Sequence, residues 1–164
     1  GRDRTLDARG DGILMATCTG CHVELRLPNR PEFVAVARLT VAAVACRMGF
    51  DVSDIEDIKV AVGEACTNAI EHGVPVGQCA EMVTIACQIA DDCLSITVHD
   101  PGVGFDPRAA TPAAHAAGTA TLTEGGLGLL LIQALMDDVE VASTPDDGTR
   151  VRMVKHLRAG EDRE

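Results

Sequence analysis

The sequence has no tryptophan and no tyrosine, and three phenylalanines are its only aromatic residues. Any core must therefore be built from aliphatic and alanine side chains. Positive charge is also scarce: 14 Lys and Arg stand against 25 Asp and Glu, a net charge of -11. Nucleic-acid affinity rests on clustered Lys and Arg, so direct binding to a phosphate backbone is disfavoured, as is an anionic membrane surface. A basic protein partner is compatible with this acidity, which by itself selects none. No apolar run approaches the about 20 residues of a membrane span. The run Ile13-Leu14-Met15-Ala16 is too short for a secretory core, so a cytoplasmic location is expected. The seven cysteines are an odd number. In that compartment they are expected to be reduced and mostly buried.

What is present suits one domain of ordinary size, with no internal repeat. Residues 1–21 are polar, contain glycine and lack a sustained period, so they read as a flexible extension in which Met15 is a candidate native start. Residues 22–158 are expected to form the domain, and 159–164 a short tail. Val23-Glu24-Leu25-Arg26-Leu27 alternates as a half-buried strand does. Pro31 opens a helix that Gly49 stops. Ser53-Asp54-Ile55-Glu56 reads as a capping box opening a second helix, whose apolar stripe is Ile55, Ile58, Val62, Ala65 and Ala69. Gly63, a poor helix former, predicts close packing there, and Gly73 is the expected stop. Met82 to Ile89 and Leu94 to Val98 read as a hairpin. Pro101 to Glu124 lacks an apolar period and reads as a lid. A third helix follows over Gly126 to Met136. Val139-Glu140-Val141 and Thr149 to Leu157 are two final strands, turned by Pro145-Asp146-Asp147-Gly148. The order implies an α+β fold with an antiparallel or mixed sheet and helices on one face.

Three segments point to chemistry. Glu64, Asn68 and His72 recur every fourth residue and share a helix face. A carboxamide oxygen is a hard ligand for magnesium, and a carboxylate one turn away can take a proton. Asp100 ends a strand and precedes Gly102 and Gly104, so a backbone can approach a flat ligand while the carboxylate accepts from an exocyclic amine. Gly125-Gly126-Leu127-Gly128 opens an apolar helix, where converging N–H groups favour phosphate. Neither Walker spacing nor a dinucleotide fingerprint is present. Each segment alone also reads as ordinary structure: a solvated helix face, a strand-end turn, a helix start. Their order and spacing, together with Gly148-Thr149 in the last hairpin, give them weight.

Taken together, these motifs resemble the ATP-binding superfamily of gyrase, chaperone ATPases, mismatch-repair ATPases and histidine kinases. Within it the chain is most similar to the anti-sigma-factor serine kinases, of the anti-sigma-B type. The resemblance runs from about Val23 to Leu157 and includes Pro31-Glu32-Phe33, Ile55-Glu56-Asp57-Ile58-Lys59, Glu64-Ala65-Cys66-Thr67-Asn68-Ala69, Leu135-Met136-Asp137-Asp138-Val139 and Met153-Val154-Lys155-His156-Leu157. It implies the histidine-kinase-like (Bergerat) fold, a two-layer α/β sandwich with a mixed, mostly antiparallel sheet and an ATP lid, and ATP and Mg2+ as cofactors. It also implies Glu64 as general base, Asn68 as magnesium ligand, Asp100 on the adenine amine and Thr149 beside it through water. Gly102 and Gly104 would shape the adenine pocket, and Gly126 and Gly128 the phosphate end; His72 is expected to be structural. The implied activity is a serine/threonine-protein kinase that sequesters a sigma factor and phosphorylates its anti-anti-sigma antagonist, regulating transcription in stress. A homodimer is implied as well.

Two other readings remain open. A non-catalytic sigma-binding module would use ATP only to order its lid, and the retained Glu64 argues against it. An isolated histidine-kinase catalytic domain would need a dimerising hairpin with the phosphorylated histidine, for which the chain has no room. Cys18-Thr19-Gly20-Cys21-His22 has the c-type haem pattern and half a zinc site. No second C-x-x-C exists, so chance or redox-labile thiols are expected, outside the region of resemblance.

Overall fold

The computed structural model describes residues 21–72, 82–102, 104, 124–144 and 147–158. The chain runs β1 (His22–Pro28), a 3-10 turn (Pro31–Phe33), α1 (Val34–Met48), α2 (Val52–His72), β2 (Met82–Ile89), β3 (Cys93–Asp100), α3 (Glu124–Leu135), β4 (Asp138–Thr144) and β5 (Gly148–His156). This is the expected order. The strands form one sheet in the order β1-β2-β3-β5-β4. All four pairings are antiparallel, so no parallel pair of a mixed sheet occurs among the described residues.

The sheet register explains the core. Leu25, Ile85, Val98, Val151 and Val141 form one cross-strand row, and Val23, Cys87, Ile96, Met153 and Val139 the next. With a side-chain period of two, both rows project from the same face. They pack with the helices in a single cluster that includes Val41, Ile58, Val62 and Ile132. The core is aliphatic, as the missing aromatics required. The opposite face carries polar rows such as Glu24, Ala86, Thr97, Arg152 and Glu140, and there Arg152 meets Glu140 at 3.1 Å.

Helix α1 buries Ala37, Val41 and Ala45 and packs against α2. Small side chains allow that close approach. At Gly63 an added Cβ would lie 3.3 Å from the Arg38 side chain, so the expected tight packing is made by an arginine stem. Gly49 ends α1 in the left-handed conformation, at φ 91°. Its N–H donates to Cys46 O at 3.1 Å and that of Phe50 to Ala45 O at 3.2 Å, the paired bonds of a Schellman motif.

One expected cap is corrected. The N–H of Asp54 donates to Asp51 Oδ1 at 2.7 Å, and that of Ile55 to Asp51 O at 3.0 Å. Asp51 therefore caps α2 from the position before Val52, and Ser53 lies inside the helix. An aspartate cap has the stronger acceptor, and its charge also favours the helix N-terminus. Gly73 and nearly all of the expected lid lie outside the described residues. No helix among the described residues is long and apolar enough to cross a membrane.

Candidate functional site

The direction of α2 sets the geometry. Near its start, Asp54 meets Lys155, which pairs with Leu94 at the beginning of β3. Farther along, Cys66 and Ile70 line a small cavity with Val83, next to Thr84, which pairs with His99 near the end of β3. Helix α2 therefore carries Glu64 and Asn68 toward the end of the sheet where Asp100 stands. Helix α3 runs the other way: its last residue, Leu135, accepts from Lys155 Nζ at 2.7 Å, so its N-terminal turn lies at the Asp100 end.

There α3 meets the polar face of α2. A Cβ built on Gly128 would lie 3.0 Å from Glu64 Oε2, 3.1 Å from Asn68 Nδ2 and 3.3 Å from Asn68 Oδ1. Glu64 and Asn68 are half-buried, and Gly128 is buried against them. A side chain at residue 128 would crowd the carboxylate and the carboxamide. Its absence leaves both facing the first turns of α3, where backbone N–H groups lack intrahelical acceptors. Gly126 occupies that first turn. A carboxamide, a carboxylate and the N–H groups of a helix N-terminus form a set of groups that fits a metal-bound polyphosphate.

Asp100 organises a second group of residues. It is 3% exposed, and its Oδ1 accepts the Gly102 N–H at 3.0 Å. Thr149 pairs with it across β3 and β5, and the Thr149 hydroxyl lies 3.0 Å from that of Ser143. Gly104, at φ 68°, has no room for a side chain, since its Cβ would sit 2.7 Å from Thr144 O. Gly148, at φ 74°, is tighter still: a Cβ there would be 2.0 Å from Asp100 O and 2.6 Å from Gly102 N. The turn of the last hairpin is thus pressed against the backbone that carries Asp100. A buried carboxylate with an adjacent hydroxyl and glycine-only walls is an arrangement that fits a flat ligand with an exocyclic amine.

The expected site residues therefore fall into two groups at one end of the sheet: Glu64, Asn68 and Gly128 where α2 meets α3, with Gly126 in the first turn of α3, and Asp100, Gly102, Gly104 and Thr149 at the strand ends. The His72 side chain lies outside the described residues. A groove of about 900 Å3 beside α1, lined by Val23, Leu39, Val44, Met48, Ile89 and Leu157, contains none of these residues. Sequence reasoning missed Ser143, the close approach at Gly148, and the buried amine of Lys155. For Lys155 the signal was available, because it continues the inward series Val151, Met153.

The cysteines depart from expectation. Cys66 and Cys87 are buried, but Cys21 and Cys46 are exposed; Cys18 and Cys79 lie outside the described residues. Burial pushes the Cys66 thiol up to about 12 from 9.0, and Cys87 up to about 11. The thiolate is the reactive form. At pH 8 a maleimide should therefore modify Cys21 and Cys46 in the native protein and leave Cys66 untouched until denaturant is added, as read by peptide mass spectrometry. The unfolded thiols ionise first, so their burial stabilises the fold below pH 9 and progressively less as pH rises toward 12.

The family model for the histidine kinase-like ATPase domain matches residues 27–155. The serine-protein kinase RsbW of Bacillus velezensis is 40% identical over 140 residues, covering 83% of this chain and 86% of that protein. The protein of the same name from Bacillus cereus is 42% identical over 142 residues, covering 83% and 85%. Among solved structures, the RsbU and RsbW domains of a Mycobacterium tuberculosis protein superpose with a TM-score of 0.62 at 20% identity, covering 85% of this chain and 34% of that one. That likeness is one of fold.

Proposed function

This chain belongs to the histidine kinase-like ATPase family, and from that premise we infer that it is a serine-protein kinase and anti-sigma factor. The observation that carries the reading is the meeting of Glu64 and Asn68 with Gly128 at the N-terminal turn of α3, at the sheet end that bears buried Asp100. Asp100, with Thr149 beside it, would hold the adenine amine, and Gly102 and Gly104 would line its plane. The first turns of α3, at Gly126 and Gly128, would face the phosphates. Asn68 would ligate magnesium, which would supply positive charge to offset that of the phosphates. Glu64 would accept the proton of the incoming serine hydroxyl. Phosphoryl transfer passes through a loose transition state, so most of the work of these residues is positioning and charge stabilisation.

The substrate in this reading is an anti-anti-sigma protein. Its phosphorylation on serine would release it and leave the kinase free to hold a sigma factor in the cytoplasm, as part of a stress response. A homodimer fits the exposed Val36 and Leu39 on α1. Incubating the protein with magnesium, ATP labelled in the γ-phosphate and the candidate antagonist should place label on a serine of the antagonist. If nucleotide binds but no label transfers, the protein is an ATP-gated sigma-binding module instead. Asn68→Ala should weaken ATP binding about tenfold or more in the presence of magnesium and little in EDTA. Equal affinities for the variant and the parent in calorimetry with magnesium would remove Asn68 from the metal.

A further inference from the structure

The Lys155 ammonium makes two hydrogen bonds and an ion pair, all to groups of other elements. Its Nζ donates to Leu135 O at 2.7 Å and to Asp57 Oδ2 at 3.2 Å, and lies 3.3 Å from Asp54 Oδ1. Lys155 and Asp54 are almost sealed from water, at 4% and 2% exposure. Arg158 Nη2 also approaches Asp54 Oδ1, at 3.2 Å. Two cations thus balance two carboxylates, and the cluster gains from both helix dipoles. The carboxylates sit in the first turns of α2, where negative charge is favoured, and the amine caps the last carbonyl of α3, where positive charge is favoured.

We propose that Lys155 is a positioning residue for the phosphate end of the nucleotide site: by tying the start of α2 to the end of α3, it sets the spacing of the two helices where Glu64 and Asn68 face Gly128. This rests on the functional reading above. At 1.5 Å per residue, Leu135 is about 10 Å from Gly128 along α3, and Asp54 about 20 Å from Asn68 along α2. Helices of that length act as rigid levers, so a shift at the tied end moves the other end by a comparable amount. The clearance there is small: Gly128 is accommodated with an imagined Cβ at only 3.0 Å from the Glu64 carboxylate. The adenine end is held differently, by direct pairing of Asp100 with Thr149 between β3 and β5, and does not depend on the tie. Loss of the tie should therefore cost affinity for phosphates and spare affinity for the base.

The test compares the affinity ratio of Mg-ATP to adenosine in two variants with that of the parent. Lys155→Met alone would leave Asp54 buried beside only Arg158 and is prone to unfold. The decisive variant is Lys155→Met with Asp54→Leu, because replacing both partners of a buried ion pair by apolar groups is often neutral for stability. With its folded state verified by thermal melting, this double variant should lose at least fivefold in the ratio, with adenosine binding unchanged. Lys155→Arg, which keeps the charge and several donors, should retain most of the parental ratio. A folded double variant whose ratio changes less than fivefold, or that loses adenosine and Mg-ATP together, would overturn the proposal. A parent protein that shows no preference for Mg-ATP over adenosine would instead overturn the functional reading, so the two failures are distinguishable.

Discussion

Glu64→Gln is expected to slow phosphorylation of the antagonist by about 10²–10⁴-fold, the usual range for loss of a general base. It should leave Mg-ATP affinity within about twofold. At about 1.4 kcal/mol per tenfold, the loss corresponds to roughly 3–5 kcal/mol of transition-state stabilisation. The substitution suits the site because glutamine fills the same space against Gly128, where a Cβ would lie only 3.0 Å from Glu64 Oε2. Packing between α2 and α3 is therefore kept, and only the capacity to take a proton is removed. Single-turnover transfer, measured with Mg-ATP saturating, separates the chemical step from binding. Transfer at the parental rate would take Glu64 out of the base role, while a parallel loss of nucleotide affinity would make it a binding residue.

The second large effect is expected at Gly148. A Cβ there would fall 2.0 Å from Asp100 O and 2.6 Å from Gly102 N, at a φ of 74°. No side-chain rotation relieves a contact with backbone atoms, so Gly148→Ala must push the last hairpin away from the end of β3. The strained backbone and displaced strand end together cost about 3 kcal/mol. That lowers Tm by about 6–12 °C for a domain of this size. The same movement separates Thr149 from Asp100, so adenosine binding should be lost even at temperatures where the variant is folded. Gly49→Ala is the control. Gly49 has φ 91° but nothing within 4 Å of its Cβ, so it carries only the left-handed penalty, of about 1 kcal/mol, with nucleotide affinity intact. If Gly148→Ala bound adenosine as the parent does, the strand-end group would not be the adenine site.

The sequence showed most clearly what depends on local periodicity. Strand β2 has the expected bounds, Met82–Ile89, because alternation and flanking turn residues both mark it. Glu64 and Asn68 were legible as a pair from their four-residue spacing. What faces them was not, since the contact with Gly128 joins segments far apart in the chain and depends on α3 running antiparallel to α2. The cap of α2 was misplaced for a local reason: Asp51-Val52-Ser53-Asp54 and Ser53-Asp54-Ile55-Glu56 are overlapping cap patterns two residues apart. The structure selects the first, just beyond the Gly49 and Phe50 turn that closes α1. Lys155 was legible in parity but not in purpose. A lysine on the apolar side of a strand signals a buried partner, yet its partners are two carboxylates and a carbonyl from distant segments. Exposed Cys46 shows the limit of composition, because a count of cysteines says nothing about which face of α1 each occupies.

The interior position of β5 has a consequence in time. β5 lies between β3 and β4, although it follows both in the chain. While the chain emerges from the ribosome, β3 presents an open edge of unpaired N–H and C=O groups. Among the described residues no earlier strand closes it, and such an edge invites pairing with another nascent chain. Asp100 likewise waits for Thr149, its partner in β5. A ribosome-stalled chain ending before residue 148 should therefore neither retain adenosine nor resist protease at β3, and both properties should appear together once β5 has left the exit tunnel.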